Sequence, residues 1–356
     1  MHRGGVHTLV KRIQGPLQVD AGGSGSDRSL SSCRGAGIRF LNNLILKRLE
    51  EKIDGSSSGA TPRSGRERIH GLSKGKARLL ARLTRRRSRE REGLVLLEGY
   101  RVIDTAQGGG HRVRFALLST EPTHDEERVA GALEEDGAEI REVEPEILRS
   151  VADTESPQGL LAVVEEPEGF LPPPADVAGK RGLVLLLDGV QDPGNVGTLI
   201  RSAAALGAER VLALDGTADP WSAKAVRAAA GFGFRIPVHP VSLASALEWL
   251  DATRTPLMVA DAKGTDVRLI TGAPDSADGP AVDREGREVP DQEGVVRVAL
   301  LVGNEAAGPR EEAMQAATQR VALPMAPGIE SLNVAVAGSI LLWALGPGRT
   351  LGGSPS

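Results

Sequence analysis

The chain has 356 residues, of which 40% are apolar, 25% charged and 3% aromatic, enough apolar material for two domains of ordinary size. No run reaches the roughly eighteen uncharged apolar residues of a membrane-spanning helix. The one cysteine, Cys33, excludes an internal disulfide framework and a cysteine-based zinc site, so the composition points to an intracellular globular protein.

The net charge of −4 conceals an asymmetry. Residues 1–114 carry 24 Lys+Arg against 10 Asp+Glu, a balance of +14, while residues 115–356 carry 19 against 37, a balance of −18. A basic front on an acidic remainder is the footprint of a nucleic-acid-facing segment joined to a part with another task. A solvated basic tail with an organelle-targeting peptide gives the same arithmetic.

Residues 1–66 resist reading as a packed unit. Gly/Ser-rich stretches cover 21–26 and 55–65, and the one sustained period places Leu41, Ile45, Leu49 and Ile53 four residues apart, predicting a short amphipathic helix within 40–53 of a flexible leader. The first 40 residues hold six Lys/Arg, two Asp and five Ser. That is the composition of a mitochondrial or chloroplast transit peptide, and equally of a disordered RNA-binding arm on a cytoplasmic protein.

From Ile69 the pattern tightens. Residues 73–92 predict one basic helix, with Leu79, Leu80 and Leu83 on a narrow apolar face. Strands are predicted at 94–97, 113–118 and 160–164, with one helix opening at Glu98-Gly99-Tyr100-Arg101 and another over 125–136. These elements make a small α/β domain over 67–166. The Pro-rich stretch 166–174 (EPEGFLPPP) marks its boundary, with a linker at 167–179.

Strands and helices then alternate across a second domain, 180–348. Strands are predicted at 183–187, 211–214, 236–238, 257–260, 295–302 and 320–323, and helices at 196–206, 222–230, 244–250, 310–317 and 332–345. The unbroken apolar runs at 183–187 and 295–302 belong to strands buried on both faces, and repeated β-then-α units predict a mostly parallel sheet covered by helices on both sides. Residues 269–294, with seven acids and two Arg, read as a solvated acidic insertion that does not contact RNA.

Ligands of an open parallel sheet bind outside the carboxyl ends of its strands, so the loops that follow the apolar runs are the candidates. Three stand out. The first, Asp188-Gly189-Val190-Gln191-Asp192-Pro193-Gly194-Asn195, makes a tight turn in which Asn195 is placed to cap the next helix, with Arg201 about two turns later. The second, Gly303-Asn304-Glu305-Ala306-Ala307-Gly308, lets a ligand approach its glycines and sets the Glu305 carboxylate at the rim. The third runs from Leu323 through Met325 and Gly328 to a helix of small residues, with Ser331 as its expected cap and Asn333 in its first turn. A plain βα turn, a structural turn and a tightly packed core helix account for the same three stretches.

Familiar cofactor signatures are missing. No GxGxxG follows a predicted strand and no GxxxxGK[ST] occurs, which disfavours nicotinamide and ATP chemistry. His2, His7, His70, His111, His124 and His239 lack metal-ligand spacing, so no metal is expected.

The stretches DGVQDPGNVGTLIRSAAALGA (188–208), LLVGNEAAGP (300–309) and LPMAPGIESLNVAVAGSILL (323–342), complete and in this order, resemble the three motifs of the SpoU/TrmH (SPOUT) RNA ribose 2′-O-methyltransferases. In the earlier part, LEGYRVIDTA (97–106) and SPQGLLAVV (156–164) resemble the family's L30e-like substrate-binding domain. The resemblance covers about residues 69–346. It departs at Ala229-Ala230-Gly231, where many members have Ser before the Gly.

The resemblance implies a knotted (trefoil) parallel-sheet methyltransferase domain preceded by the small α/β L30e-like domain. It further implies a homodimer built through the knot and S-adenosyl-L-methionine as cofactor. By motif position it assigns Gly303, Leu323, Met325, Ser331 and Leu332 to the cofactor pocket and Asn195, Arg201, Glu305 and Asn333 to the catalytic region. Because a guanidinium is effectively never deprotonated, Arg201 is expected to bind phosphate and stabilise a developing alkoxide rather than act as a base.

RNA binding then falls to the basic segment 63–101, with 13 Lys+Arg against 4 acids, and Lys74, Lys76, Arg85, Arg86, Arg87 and Arg101 are its expected contacts. Scarce aromatics argue against base stacking, so the expected substrate is a structured RNA, rRNA first and tRNA second, with neither membrane nor metal as partner. A non-catalytic RNA-binding ribosome-assembly factor on the same fold is the alternative.

Overall fold

The computed structural model describes residues 68–346, apart from 153, 155, 156, 178, 179, 181 and 271–296. The expected leader, its helix within 40–53, and all but Leu269 and Ile270 of the expected acidic insertion lie outside the described residues.

The N-terminal module is a five-stranded mixed sheet in the order β1 (Ile69–His70), β4 (Glu139–Val143), β3 (Val113–Ser119), β5 (Leu160–Glu165), β2 (Leu94–Glu98). β3 runs parallel to β4 and antiparallel to β5, which also pairs antiparallel with β2. α1 (Lys74–Leu83) and α5 (Pro145–Val151) cover one face through Leu80, Leu83, Ile147 and Leu148, while α3 (Tyr100–Gln107) and α4 (His124–Glu135) cover the other through Ile103, Val129 and Leu133. Each such fully buried side chain contributes about 2 kcal/mol by leaving water.

The helix predicted over 73–92 is two helices. α1 ends at Leu83, where the Thr84 hydroxyl donates to Ala81 O at 3.0 Å, and α2 (Arg86–Glu92) starts after an extended Arg85. The break frees the carbonyl of Leu83, which accepts from Arg89 Nη1 at 2.9 Å. β1, β4 and α5 carry no predicted counterpart: β4 reads Glu-Ile-Arg-Glu-Val, mostly charged, with Ile140 and Val143 buried and its three charged residues partly buried.

The C-terminal module is a six-stranded sheet in the order β11 (Gln319–Ala322), β9 (Leu257–Asp266), β10 (Arg297–Gly303), β6 (Gly182–Asp188), β7 (Arg210–Leu214), β8 (Val238–Val241), every pair parallel. Alternate residues of β6 enter opposite cores. Leu183, Leu185 and Leu187 share one with Leu199 of α7 (Pro193–Ala205) and Leu342 of α12 (Val334–Leu345), while Val184 and Leu186 share the other with Trp249 of α9 (Leu243–Ala252) and Ala313 of α11 (Glu311–Ala316). α6 (Pro174–Val177) precedes β6 in the chain, and α8 (Ala223–Ala228) and α10 (Val267–Ile270) lie between the helices just named. β9 exceeds the predicted 257–260 because it pairs with β11 twice, the register jumping from Val259 to Thr265 between Arg320 and Val321.

The two modules share one continuous core. The turn Phe232–Phe234 packs against α3, where Gly231 (φ 80°) is required: a Cβ there would lie 2.5 Å from Val102 O. Arg235 Nε donates to Thr105 O at 2.8 Å, His111 Nε2 lies 3.0 Å from Phe234 O, and Arg227 reaches Glu98 at 3.8 Å.

Candidate active site at the carboxyl edge of the parallel sheet

β6 and β10 end side by side, with Asp188 opposite Gly303. The Asp188 carboxylate is buried and accepts from Arg310 Nε at 2.6 Å and from the Arg310 backbone N–H at 2.8 Å. One ion pair thereby ties the end of the first loop to the exit of the second. Gly303 is forced by the same closeness: a Cβ on it would meet Pro309 N at 2.2 Å.

Asn304 does more than form a turn. Its Nδ2 donates to Gly189 O at 2.8 Å, and its Oδ1 accepts from Ala306 N and Ala307 N, each at 2.9 Å. This folding turns Glu305 back toward the first loop, where its carboxylate accepts from Gln191 N at 3.1 Å, Asp192 N at 3.4 Å and Asn195 Nδ2 at 3.0 Å. Partial burial opposes ionisation of Glu305, but the Asn195 amide and the backbone N–H groups outweigh it and hold the carboxyl below its ordinary value.

Asn333 closes the network by donating from Nδ2 to Asn195 Oδ1 at 3.1 Å. Three of the four expected catalytic residues, Asn195, Glu305 and Asn333, therefore meet from three loops. Arg201 stands apart, exposed on α7, with no hydrogen-bond or ion-pair partner among the described residues.

Both expected helix caps fall elsewhere. α7 is capped by Asp192, whose Oδ1 accepts from Gly194 N and Asn195 N, so Asn195 is inside the helix with its amide released to the site. Lys224 at 2.8 Å and those N–H groups hold the Asp192 carboxyl below its ordinary value. α12 is capped by Asn333, whose Oδ1 accepts from Ala335 N and Val336 N, and Ser331 lies exposed outside the helix. One asparagine thus serves helix and network with different atoms of the same amide.

Of the expected pocket residues, Gly303 is buried, Leu323 and Met325 are half-buried, and Ser331 and Leu332 are exposed. Between 324 and 332 the one backbone–backbone hydrogen bond among described residues runs from Ile329 N to Ala326 O, and Ile329 and Leu332 are 53% and 41% exposed. The third loop therefore presents open peptide groups beside apolar side chains.

Among the expected RNA contacts, Lys74, Arg85, Arg86, Arg87 and Arg101 are exposed. Arg86 pairs with Glu90 at 2.7 Å and Arg101 Nε donates to the Tyr100 hydroxyl at 3.0 Å. Lys76 is half-buried, held by Glu139 at 2.8 Å above the Phe115 ring, and so offers RNA less than its neighbours. Asp188, Gln191 and Asn304 lie in loops that the sequence marks but without an assigned role there, and Thr217 and Arg310 lie outside those loops' assignments altogether. An acid at the end of a wholly apolar strand was the available signal for Asp188; nothing local marks Arg310 as its partner.

Residues 182–343 match the SpoU rRNA Methylase family and residues 75–162 match the MRM3-like substrate binding domain. The chain is 34% identical over 264 residues, 74% of its length and 93% of the relative's, to the 23S rRNA (guanosine(2553)-2′-O)-methyltransferase RlmP of Bacillus subtilis. It belongs to the SpoU rRNA methylase family. It is also 33% identical to rRNA methyltransferase 3A, mitochondrial, of Danio rerio, over 72% of this chain and 64% of that one. Among solved structures, the SpoU methyltransferase AviRb of Streptomyces viridochromogenes in complex with AdoMet is 28% identical with a TM-score of 0.61, covering 75% of this chain and 94% of that one. An AdoMet-bound rRNA methyltransferase of Sinorhizobium meliloti is 25% identical with a TM-score of 0.62. The family match spans all three loops of the site, from Asp188 to Asn333.

Proposed function

We propose that this protein is an S-adenosyl-L-methionine-dependent methyltransferase acting on a ribose 2′-hydroxyl of rRNA. The observation that carries the proposal is the junction of Asn195, Glu305 and Asn333, polar groups from three separate loops at the carboxyl edge of a parallel sheet. The names of the relatives from Bacillus subtilis and Danio rerio favour rRNA over tRNA.

The residues present fit the cofactor. Its adenosine portion and aliphatic chain call for apolar walls and peptide groups, and the third loop offers both at Leu323, Met325, Ile329 and Leu332, with Ser331 exposed beside them and Gly303 letting the second loop's backbone pack closely. Bound there, S-adenosylmethionine supplies a methyl carbon already activated by a sulfonium. The chain's own task is to place a ribose hydroxyl and dispose of one proton.

Glu305, ionised and saturated by three donors, orders the first loop and is not the base. The amides of Asn195 and Asn333 orient the ribose. Arg201 binds the adjoining phosphate through its planar guanidinium and steadies the developing alkoxide, and the proton passes to phosphate or water. The exposed cations Lys74, Arg85, Arg87 and Arg101 engage a folded RNA through its phosphates.

Two further readings belong with this one. Val336, Ile340 and Trp343 of α12, spaced for one helical face, are 48%, 40% and 57% exposed beside the third loop, which supports a homodimer through this helix, while the family match supports a trefoil knot. The basic leader, together with the mitochondrial names of vertebrate relatives, supports a mitochondrial address.

The test is transfer of tritiated methyl from S-adenosylmethionine to purified rRNA and tRNA by the full chain. Label in rRNA ribose is expected. Label in tRNA alone would make it a tRNA enzyme, and cofactor and RNA binding without label would leave a non-catalytic assembly factor.

A further inference from the structure

The loop 215–221, after β7, contains none of the expected catalytic or RNA-binding residues, yet it contacts both the loop that leads to Asn195 and the helix α2 that carries Arg86 and Arg87. On its inner side the Thr217 hydroxyl donates to Leu187 O at 2.7 Å and accepts from Gly189 N at 3.1 Å. Ala218 N donates to Val190 O at 2.8 Å, and Gln191 Nε2 donates to Gly216 O at 2.5 Å. These four bonds hold the stretch 187–191, and Gln191 N in turn donates to Glu305 at the junction of the site.

On its outer side the loop is gripped by the N-terminal module. Arg89 of α2 donates from Nη2 to Asp219 Oδ2, while its Nη1 caps Leu83 O; both side chains are largely buried, at 7% and 15% exposure. Asp219 is held from behind by Trp221 N at 2.9 Å. Arg89 follows Arg86 and Arg87 on the same short helix, but it is turned inward where they and the preceding Arg85 are exposed.

We propose that Arg89 and Asp219 are a positioning pair for methyl transfer, fixing the RNA-facing helix α2 in register with the catalytic loop 189–195 through the loop 215–221. The inference rests on the proposed function, because it takes α2 as part of the RNA-binding surface. The modules stay docked without this pair, since Arg235 to Thr105 O, Arg227 to Glu98 and the Phe234 contacts are independent of it. What the pair adds is a defined distance between the phosphates that α2 holds and the ribose that Asn195 and Asn333 orient. Misplacement of the reacting group by about an ångström is worth up to 10²-fold in rate.

The experiment compares full-length wild type, Arg89→Met, Asp219→Asn and the double variant, by kcat on saturating rRNA, Kd for that RNA, Kd for S-adenosylmethionine and thermal midpoint. Each single variant is expected to lose about tenfold in kcat with RNA affinity within about twofold of wild type. The double is expected to lose no more than either single, because both remove one coupling. Arg89→Lys, which keeps the charge but not both contacts, should recover part of the rate.

Wild-type kcat in Arg89→Met and Asp219→Asn, or losses in the two that multiply in the double variant, would overturn the pair's role. Asp219→Asn keeps the volume and the acceptor for Trp221, so it tests the claim even if Arg89→Met fails to fold. Failure of the underlying reading looks different: wild type would not label rRNA, or Arg85→Glu/Arg86→Glu/Arg87→Glu would bind RNA as tightly as wild type.

Discussion

The side-chain amide of Asn333 donates to the side-chain oxygen of Asn195 across 3.1 Å, joining the caps and first turns of two helices whose residues lie 138 positions apart. Asn195 passes the contact on to Glu305 at 3.0 Å, so the three loops of the site share a single polar junction. Asn195→Ala removes both bonds while leaving the Asp192 cap of its helix intact. Its kcat for methyl transfer should fall about 100-fold with a thermal midpoint close to wild type, since a half-buried polar side chain outside the core contributes little to stability.

Asp188 and Arg310 make the opposite prediction. Arg310→Ala leaves the Asp188 carboxylate buried with only a backbone N–H, and stranding a buried charge costs about 3 kcal/mol or more. Chemical denaturation should show that loss. Asp188→Asn should be milder, because an amide oxygen still accepts from Arg310.

Gly303→Ala should destabilise as well and also abolish cofactor binding, because its Cβ would lie 2.2 Å from Pro309 N and 2.5 Å from Gly308 C. Both atoms belong to the 308–309 peptide, and backbone cannot yield as a flexible side chain would. Calorimetric titration with S-adenosylmethionine checks this, with Gly308→Ala, open but at φ 73°, as the milder neighbour.

His239 gives the protein a defined acid sensitivity. Burial first, and the nearby Arg210 second, push its pKa from 6.5 down to about 4, so the folded state holds the ring neutral while the unfolded chain protonates it near pH 6.5. Stability from this group is complete above pH 6.5 and is lost as pH falls from 6.5 toward 4, by an amount on the order of 2 kcal/mol. Thermal melts of wild type and His239→Phe across that range should differ in slope, the variant being flatter.

The parts of this architecture that rest on local pattern were readable from the chain alone. The run Leu183–Leu187 announces a strand covered on both faces, and the turn after Asp188 announces a ligand loop. Caps were misjudged because Asp192, Asn195, Ser331 and Asn333 are all competent capping residues, and which one serves depends on where the helix meets its neighbour. The break between α1 and α2 has no local signal at all: Arg-Arg-Arg favours helix, and it is the burial of Arg89 against Leu83 O and Asp219 that interrupts it. Asp188 with Arg310 is likewise a contact across 122 positions that no pattern of spacing encodes.

The central claim is that this chain methylates a ribose of rRNA, and site-resolved mapping of ribose 2′-O-methylation in rRNA and tRNA tests it most directly. The comparison is between cells lacking the protein and cells complemented with wild type or Asn195→Ala. One rRNA site is expected to lose its methyl group, to regain it with wild type and not to regain it with Asn195→Ala. Unchanged methylation in both RNA pools, or restoration by Asn195→Ala as complete as by wild type, would contradict it.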